Sequence, residues 1–159
     1  MWFIGPRRDV RLLSIRQRGL ASMTERSGII CAGNWIVDLV HDIDHWPGES
    51  DLVRIGNQSR SIGGGAANVI GALTKFQMDL PLWPMGAIGD DDYGRFILAE
   101  CDALGLPTDQ LSVKAGIATA HTHVMSVAGQ SRTFFYQGGA NDALSVIDFP
   151  TGTFQDTSA

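Results

Sequence analysis

Three consecutive glycines, Gly63, Gly64 and Gly65, head the segment "IGGGAANVI" and run straight into helical spacing, with Asn68 one turn inside. Consecutive glycines let a backbone come close to a ligand, and the N–H groups of a helix's first turn lack partners within the helix. Asn68 adds a side-chain donor and an acceptor. Such a surface suits a polyhydroxylated molecule; a plain tight turn with Asn68 facing water is the alternative that the glycines alone leave open. Asp38 lies five residues after Gly33, just beyond an apolar run. Open α/β sheets place ligand contacts at the carboxyl ends of their strands. Its carboxylate can accept hydrogen bonds from two vicinal hydroxyls, or it is a solvated strand-end acid. "GGAND" (138–142) offers a further glycine pair, with Asn141 as a polar reader.

Other chemistries fit less well. The dinucleotide spacing G-x-G-x-x-G is absent, as is the phosphate cradle G-x-x-x-x-G-K-[ST]. Asp90, Asp91 and Asp92 follow Gly89 and could hold a metal, but capping of the next helix explains them more simply. His121 and His123 alternate on one strand face without a third ligand at useful spacing, so no zinc or other metal site is expected. The net charge of -5 argues against a nucleic-acid partner. Residues 1–26 carry six of the 12 basic residues, which leaves six basic against 15 acidic in the remainder. Residues 1–22 form an unassigned N-terminal extension, Arg-rich and acid-poor. They read either as a targeting segment or as translation from an upstream start with Met23 as the first residue. No run approaches the roughly 18 apolar residues of a membrane span. With 44% hydrophobic and 18% charged residues the chain can bury a core. Cys31 and Cys101 sit in apolar runs and read as small core residues in a reducing compartment, so a cytoplasmic location is expected.

The elements that must position these residues follow from periodicity. "GIICAG" (28–33) reads as a buried strand, "WIVDLVHDIDHWP" (35–47) continues extended to Pro47-Gly48, and residues 50–60 suit an exposed strand or hairpin. From Gly65 onward, Ala66, Val69, Ile70, Leu73 and Phe76 fall on one helical face. "LPLWPMGAIGDD" (80–91) predicts a second buried strand. Asp91 and Asp92 are placed to cap a helix carrying Phe96, Ile97, Ala99 and Leu104, which Gly105 and Pro107 end. Residues 119–139 hold two β-rich runs joined by "AGQS", a hairpin signal. Strand, helix, strand, helix predicts an α/β fold with a parallel sheet. The polar strands at 50–60 and 119–137 predict a separate small antiparallel layer. Phe134, Phe135 and Tyr136 offer an apolar surface there, or are buried in alternation.

Four segments in order carry a resemblance: "GNWIVD" (33–38) with Pro47-Gly48 behind it, "GGGAANV" (63–69), "GAIGDDDYG" (86–94) and "GGAND" (138–142). Together they resemble the PfkB-type, ribokinase-like family of sugar and nucleoside kinases, from about Ile29 to Pro150. The resemblance implies a central, mostly parallel sheet flanked by helices with a small β-sheet lid. Residues 23–150 would be the N-terminal part of that kinase domain, lid strands included, and 151–159 an atypical tail. It implies that Asp38, Gly64, Gly65 and Asn68 bind the hydroxyls of a sugar or nucleoside, and that Asn141 closes the pocket from the lid side. Ribokinase itself carries Asn two residues before the aspartate and Lys in the glycine motif; here those places hold Ile36 and Gly65, so the substrate need not be ribose. The family's Asn-x-x-Glu and Asp-Thr-x-Gly-Ala-Gly-Asp motifs do not occur in these 159 residues. The expectation is therefore the sugar-binding portion of an ATP- and Mg²⁺-dependent kinase with its C-terminal half missing, no catalytic residue of its own, and no activity alone. The alternatives are a non-catalytic sugar-binding or dimerisation module, since family members form homodimers through lid strands, or a truncated product without independent function.

Overall fold

The structure is a computed structural model, and it describes residues 28–77 and 79–149. The expected extension at 1–22 and tail at 151–159 lie outside the described residues. Strands β1 (Ile29–Ala32), β4 (Leu82–Gly89) and β5 (Leu111–Lys114) form a parallel sheet in the order β1-β4-β5. The middle strand β4 is nearly all apolar, as a strand covered on both faces must be. Its Met85, Ala87 and Ile88 are fully buried. Helix α1 (Gly65–Lys75) leads into β4, and α2 (Asp92–Ala103) leads from it to β5. Ala66, Ala67 and Ile70 of α1 share one core with Ile97 and Cys101 of α2, Cys31 of β1 and Ile88 of β4. Both cysteines are buried free thiols there, and burial pushes each thiol pKa up, that of Cys101 to about 11.

A second sheet has the order β3-β2-β6-β7, built from β2 (Ile36–Ile43), β3 (Ile55–Gly63), β6 (His121–Val127) and β7 (Thr133–Gln137). This is the separate layer that the polar strands predict, with one correction. It is mixed rather than antiparallel, because its two inner strands β2 and β6 run parallel. The segment after β1 does continue extended, but not within the central sheet: β2 becomes an inner strand of the second layer. Its Val37 still reaches the main core, so one strand belongs to both layers. Strand β5 escapes sequence reading because its four residues, LSVK, carry too little pattern. Phe134, Phe135 and Tyr136 on the outer strand β7 are all more than half exposed. No helix among the described residues is long and apolar enough to cross a membrane.

The two layers are tied at the head of α2. Asp91 caps that helix, accepting from the Gly94 N–H at 2.9 Å. It also accepts from the N–H of Thr119 at 2.9 Å and from its hydroxyl at 2.6 Å, just ahead of β6. The Thr119 hydroxyl in turn accepts from the Gly89 N–H at the end of β4. Burial raises the pKa of Asp91, but the bonds from Thr119 and Gly94 outweigh it and hold the carboxyl below its ordinary value. A carboxylate with a lowered folded pKa contributes stability that is present above its unfolded value and lost as pH falls toward the folded one. Asp91→Ala is expected to cost about 1–2 kcal/mol in urea unfolding at pH 7, the range for a lost cap. The deficit should shrink as pH falls through the carboxylate range. An equal melting point for variant and wild type would contradict this reading.

Candidate functional site

Strand β2 starts from a fixed point. Trp35 is 1% exposed, and its indole N–H donates to the carbonyl of Met85 at 3.0 Å. Its backbone N–H donates to Asn141 Oδ1 at 3.3 Å, and Asn141 Nδ2 donates back to its carbonyl at 3.1 Å. Gly86 leaves room for the ring, since a Cβ there would overlap the indole and the carbonyl of Gly33. Three residues further on, β2 presents Asp38.

The carboxylate of Asp38 lies against the backbone of Gly63, where any side chain would overlap Oδ2. The next glycine is the N-cap of α1, with φ +95°, and a Cβ there would overlap the carbonyl of Asn34. Gly64 therefore needs to be glycine twice over. Gly65 differs: it is exposed, and a Cβ added to it would meet nothing within 4 Å. The glycine run thus makes a place for a carboxylate, turns sharply and then leaves open space beside the free N–H groups of the first turn of α1.

Register extends the site across the lid. Ser61 of β3 and Thr122 of β6 are the direct partners of Asp38, and Tyr136 of β7 is the partner of Thr122. Partners in a pleated sheet share a face, so Ser61, Asp38, Thr122 and Tyr136 form one polar row, one residue from each strand. The Tyr136 hydroxyl lies 3.5 Å from Asn141 Nδ2. Burial pushes the pKa of Asp38 up, and a side-chain hydrogen bond with Thr122 draws it part of the way back.

Of the residues singled out in the sequence, Asp38 lies against Gly63, the residue that precedes Gly64 and Gly65 in the turn. Asn141 closes the far end of the row through Tyr136, with its amide committed to the backbone of Trp35. Asn68 is exposed one turn into α1, on the wall of a cavity of about 420 Å³ between α1 and α2. That cavity is lined mainly by apolar groups and includes neither Asp38 nor Gly64 and Gly65. The candidate site is assigned to the turn, where a carboxylate, hydroxyls and free N–H groups converge. Sequence reading missed Gly63, Ser61, Thr122, Tyr136 and Trp35. Only Gly63 left a local signal, its place in the glycine run; the others depend on strand register.

The fold is a lidded α/β domain, a three-stranded parallel sheet with two helices and a second four-stranded sheet. The sequence pattern described as pfkB family carbohydrate kinase matches residues 26–157, and the chain belongs to that family. It is 26% identical over 116 residues to an ATP-dependent ribose-1-phosphate kinase from Halopiger xanaduensis, a match that covers 73% of this chain and 38% of that protein. Ribokinase from Giardia lamblia superposes with a TM-score of 0.68 at 25% identity, over 78% of this chain and 40% of that one. Arabidopsis thaliana ribokinase, solved with ribose and ATP, superposes with a TM-score of 0.64 at 24% identity, over 72% and 37%. The fold is that of ribokinase, and the chain spans about two fifths of the length of these relatives.

Gly64→Ala is expected to lose about 1–3 kcal/mol of stability, the range for one residue held in a sparsely allowed backbone conformation. Gly65→Ala should melt within about 0.5 kcal/mol of wild type yet weaken binding of a small sugar about tenfold, because its methyl group occupies the ligand's approach. Calorimetry on both variants checks this. Undiminished sugar binding by Gly65→Ala would remove that glycine from the site.

Proposed function

We propose that this chain is the sugar-recognising part of a pfkB-type kinase, and that it holds a sugar or nucleoside by vicinal hydroxyls. The observation that carries the reading is the row Ser61, Asp38, Thr122 and Tyr136, with the Asp38 carboxylate against the glycine turn at Gly63. Asp38 accepts from two hydroxyls of the ligand, and the first-turn N–H groups of α1 donate to its oxygens. Asn68 reads a further hydroxyl from the next turn, and Asn141 positions Tyr136 and Trp35. In the relatives named above, ribose and its 1-phosphate supply such hydroxyls, which makes a pentose the first ligand to test.

In the complete kinase, ATP with Mg²⁺ would supply the phosphoryl group. The described residues do not fit either one. Among them, no three His, Cys, Asp or Glu side chains converge on a metal position, and the glycine turn faces a carboxylate, which repels phosphate. Phosphoryl transfer depends on groups that position and neutralise the γ-phosphate. We therefore assign sugar binding, and no transfer step, to the described residues.

Asp38→Asn tests the reading without disturbing the shape of the turn. Because burial raises the folded pKa of Asp38, ionising it costs stability as pH rises through that value. Removing the charge should leave the melting point at neutral pH equal or higher, while titration calorimetry shows pentose binding weakened about 10- to 100-fold, the loss of one or two charge-assisted hydrogen bonds. Wild-type binding should itself decline as pH falls through the raised Asp38 value. Unchanged affinity in Asp38→Asn, or release of phosphorylated sugar by the purified chain with ATP and Mg²⁺, would overturn the proposal.

A further inference from the structure

The opposite face of the lid carries a cluster that the sugar site does not use. His41 Nε2 and His123 Nδ1 are 3.0 Å apart, and Gln58 Nε2 lies 3.0 Å from His41 Nδ1. The chain of contacts thus crosses from β3 to β2 to β6. The rings of His41 and His123 are stacked 5.2 Å apart, and His121 sits edge-on to His123 at 5.5 Å. His121 Nδ1 is 3.2 Å from the carbonyl of Thr119, the residue that Asp91 holds, and its ring tilts against Tyr93 of α2 at 5.0 Å. Beside them, the guanidinium of Arg60 lies 3.9 Å over the ring of Phe96 on α2. A cavity of about 400 Å³ opens among Leu39, His41, Gln58, Arg60, Tyr93 and His123, and no carboxylate lines it.

This geometry has a definite proton count. A single N–H···N bond joins His41 and His123, so one of the facing nitrogens must be bare. One proton can be added to the pair with that bond kept, but it must then sit on His41 Nδ1, where it meets the Gln58 amide N–H and ends the contact with β3. A second sets N–H against N–H and breaks it. The groups facing the pair offer no relief: Gln58 and the cationic Arg60 from β3, the neutral phenol of Tyr93 from α2, and His121 on β6 itself. An imidazolium pair here would sit partly desolvated, beside a fixed positive charge and without a counter-ion.

We propose that His41, His121 and His123 form a proton-operated latch on the face of the lid that packs against α2. Neutral, they tie β3, β2 and β6 to one another and to α2. A first added proton releases the tie to β3, a second releases the bond between β2 and β6, and the lid loosens. Burial, and after it the charges of His41 and His121, hold the pKa of His123 below its ordinary value. A base with a lowered folded pKa stabilises the fold above its unfolded value, about pH 6.5. That stability is lost as pH falls from there toward the lowered folded value. The latch stands independently of the sugar site, since Asp38 faces the other way.

The test is a histidine NMR titration of the full chain between pH 8 and 5, with no sugar present. His123 is expected to titrate below the ordinary histidine range, and the backbone amides of Gln58 and Arg60 to shift along the same curve. In His41→Gln the His123 transition should move up toward the ordinary value. In His123→Leu the fall in melting point between pH 7 and 5.5 should flatten. A His123 transition unmoved by His41→Gln, or Gln58 and Arg60 amides that do not follow it, would overturn the latch. The amide titration is read on the unmodified chain, so it decides the matter even where a variant fails to fold.

Discussion

The candidate site depends on the way Trp35 is locked. Its two backbone polar groups are taken by Asn141, 106 residues along the chain, and its indole N–H by Met85 of the central sheet. Each is a buried group whose hydrogen bond contributes only about 1 kcal/mol net, yet leaving it unpaired would cost about 1–3 kcal/mol. The penalty for breaking the arrangement thus exceeds the gain from making it, and the start of β2 is held in one place. Everything that faces the cleft inherits that position. Asp38 comes three residues later, its partners Ser61 and Thr122 follow from the register of β2, and Tyr136 follows from the register of β6.

The glycine turn shows how a flexible sequence gives a specific surface. Gly63 is small because a carboxylate lies against it, and Gly64 because its φ and the carbonyl of Asn34 forbid a side chain. Gly65 faces open space, on the side where the proposed ligand would approach. Asp38 is partly desolvated by the same arrangement. Its raised pKa marks a stability cost at neutral pH, and such local costs are common where a fold serves binding. In the proposed function binding and stability pull in opposite directions at this carboxylate, whereas at Asp91 the hydrogen bonds outweigh desolvation and the charge stabilises the fold.

What the sequence made legible was local. The Asp91 cap, the buried run of β4, the hairpin after residue 119 and the Ala66, Ile70 and Leu73 part of the α1 face all depend on neighbours within a few turns, where periodicity and capping chemistry speak directly. Val69 and Phe76, expected on that face, and Leu104, expected on that of α2, are exposed instead, because spacing alone does not show where the covering layer ends. The glycine run and Asp38 were legible as candidates for the same reason. The parallel pairing of β2 with β6 was not, because it joins segments more than 80 residues apart and shared pattern does not fix which strands pair or in which direction. The polar row was hidden with it: Ser61, Thr122 and Tyr136 are ordinary strand residues until the register places them beside a carboxylate. Phe134, Phe135 and Tyr136 were ambiguous because alternation alone does not say whether either face of an outer strand is covered.

The most direct test of the central claim is an amide chemical-shift titration of the ¹⁵N-labelled chain with D-ribose. The account predicts that Asp38, Gly64, Gly65, Thr122 and Tyr136 move together along one saturating curve, while the amides of β5 stay still. Shifts confined to the cavity between α1 and α2, or none at the glycine turn as ribose is raised to high concentration, would contradict it.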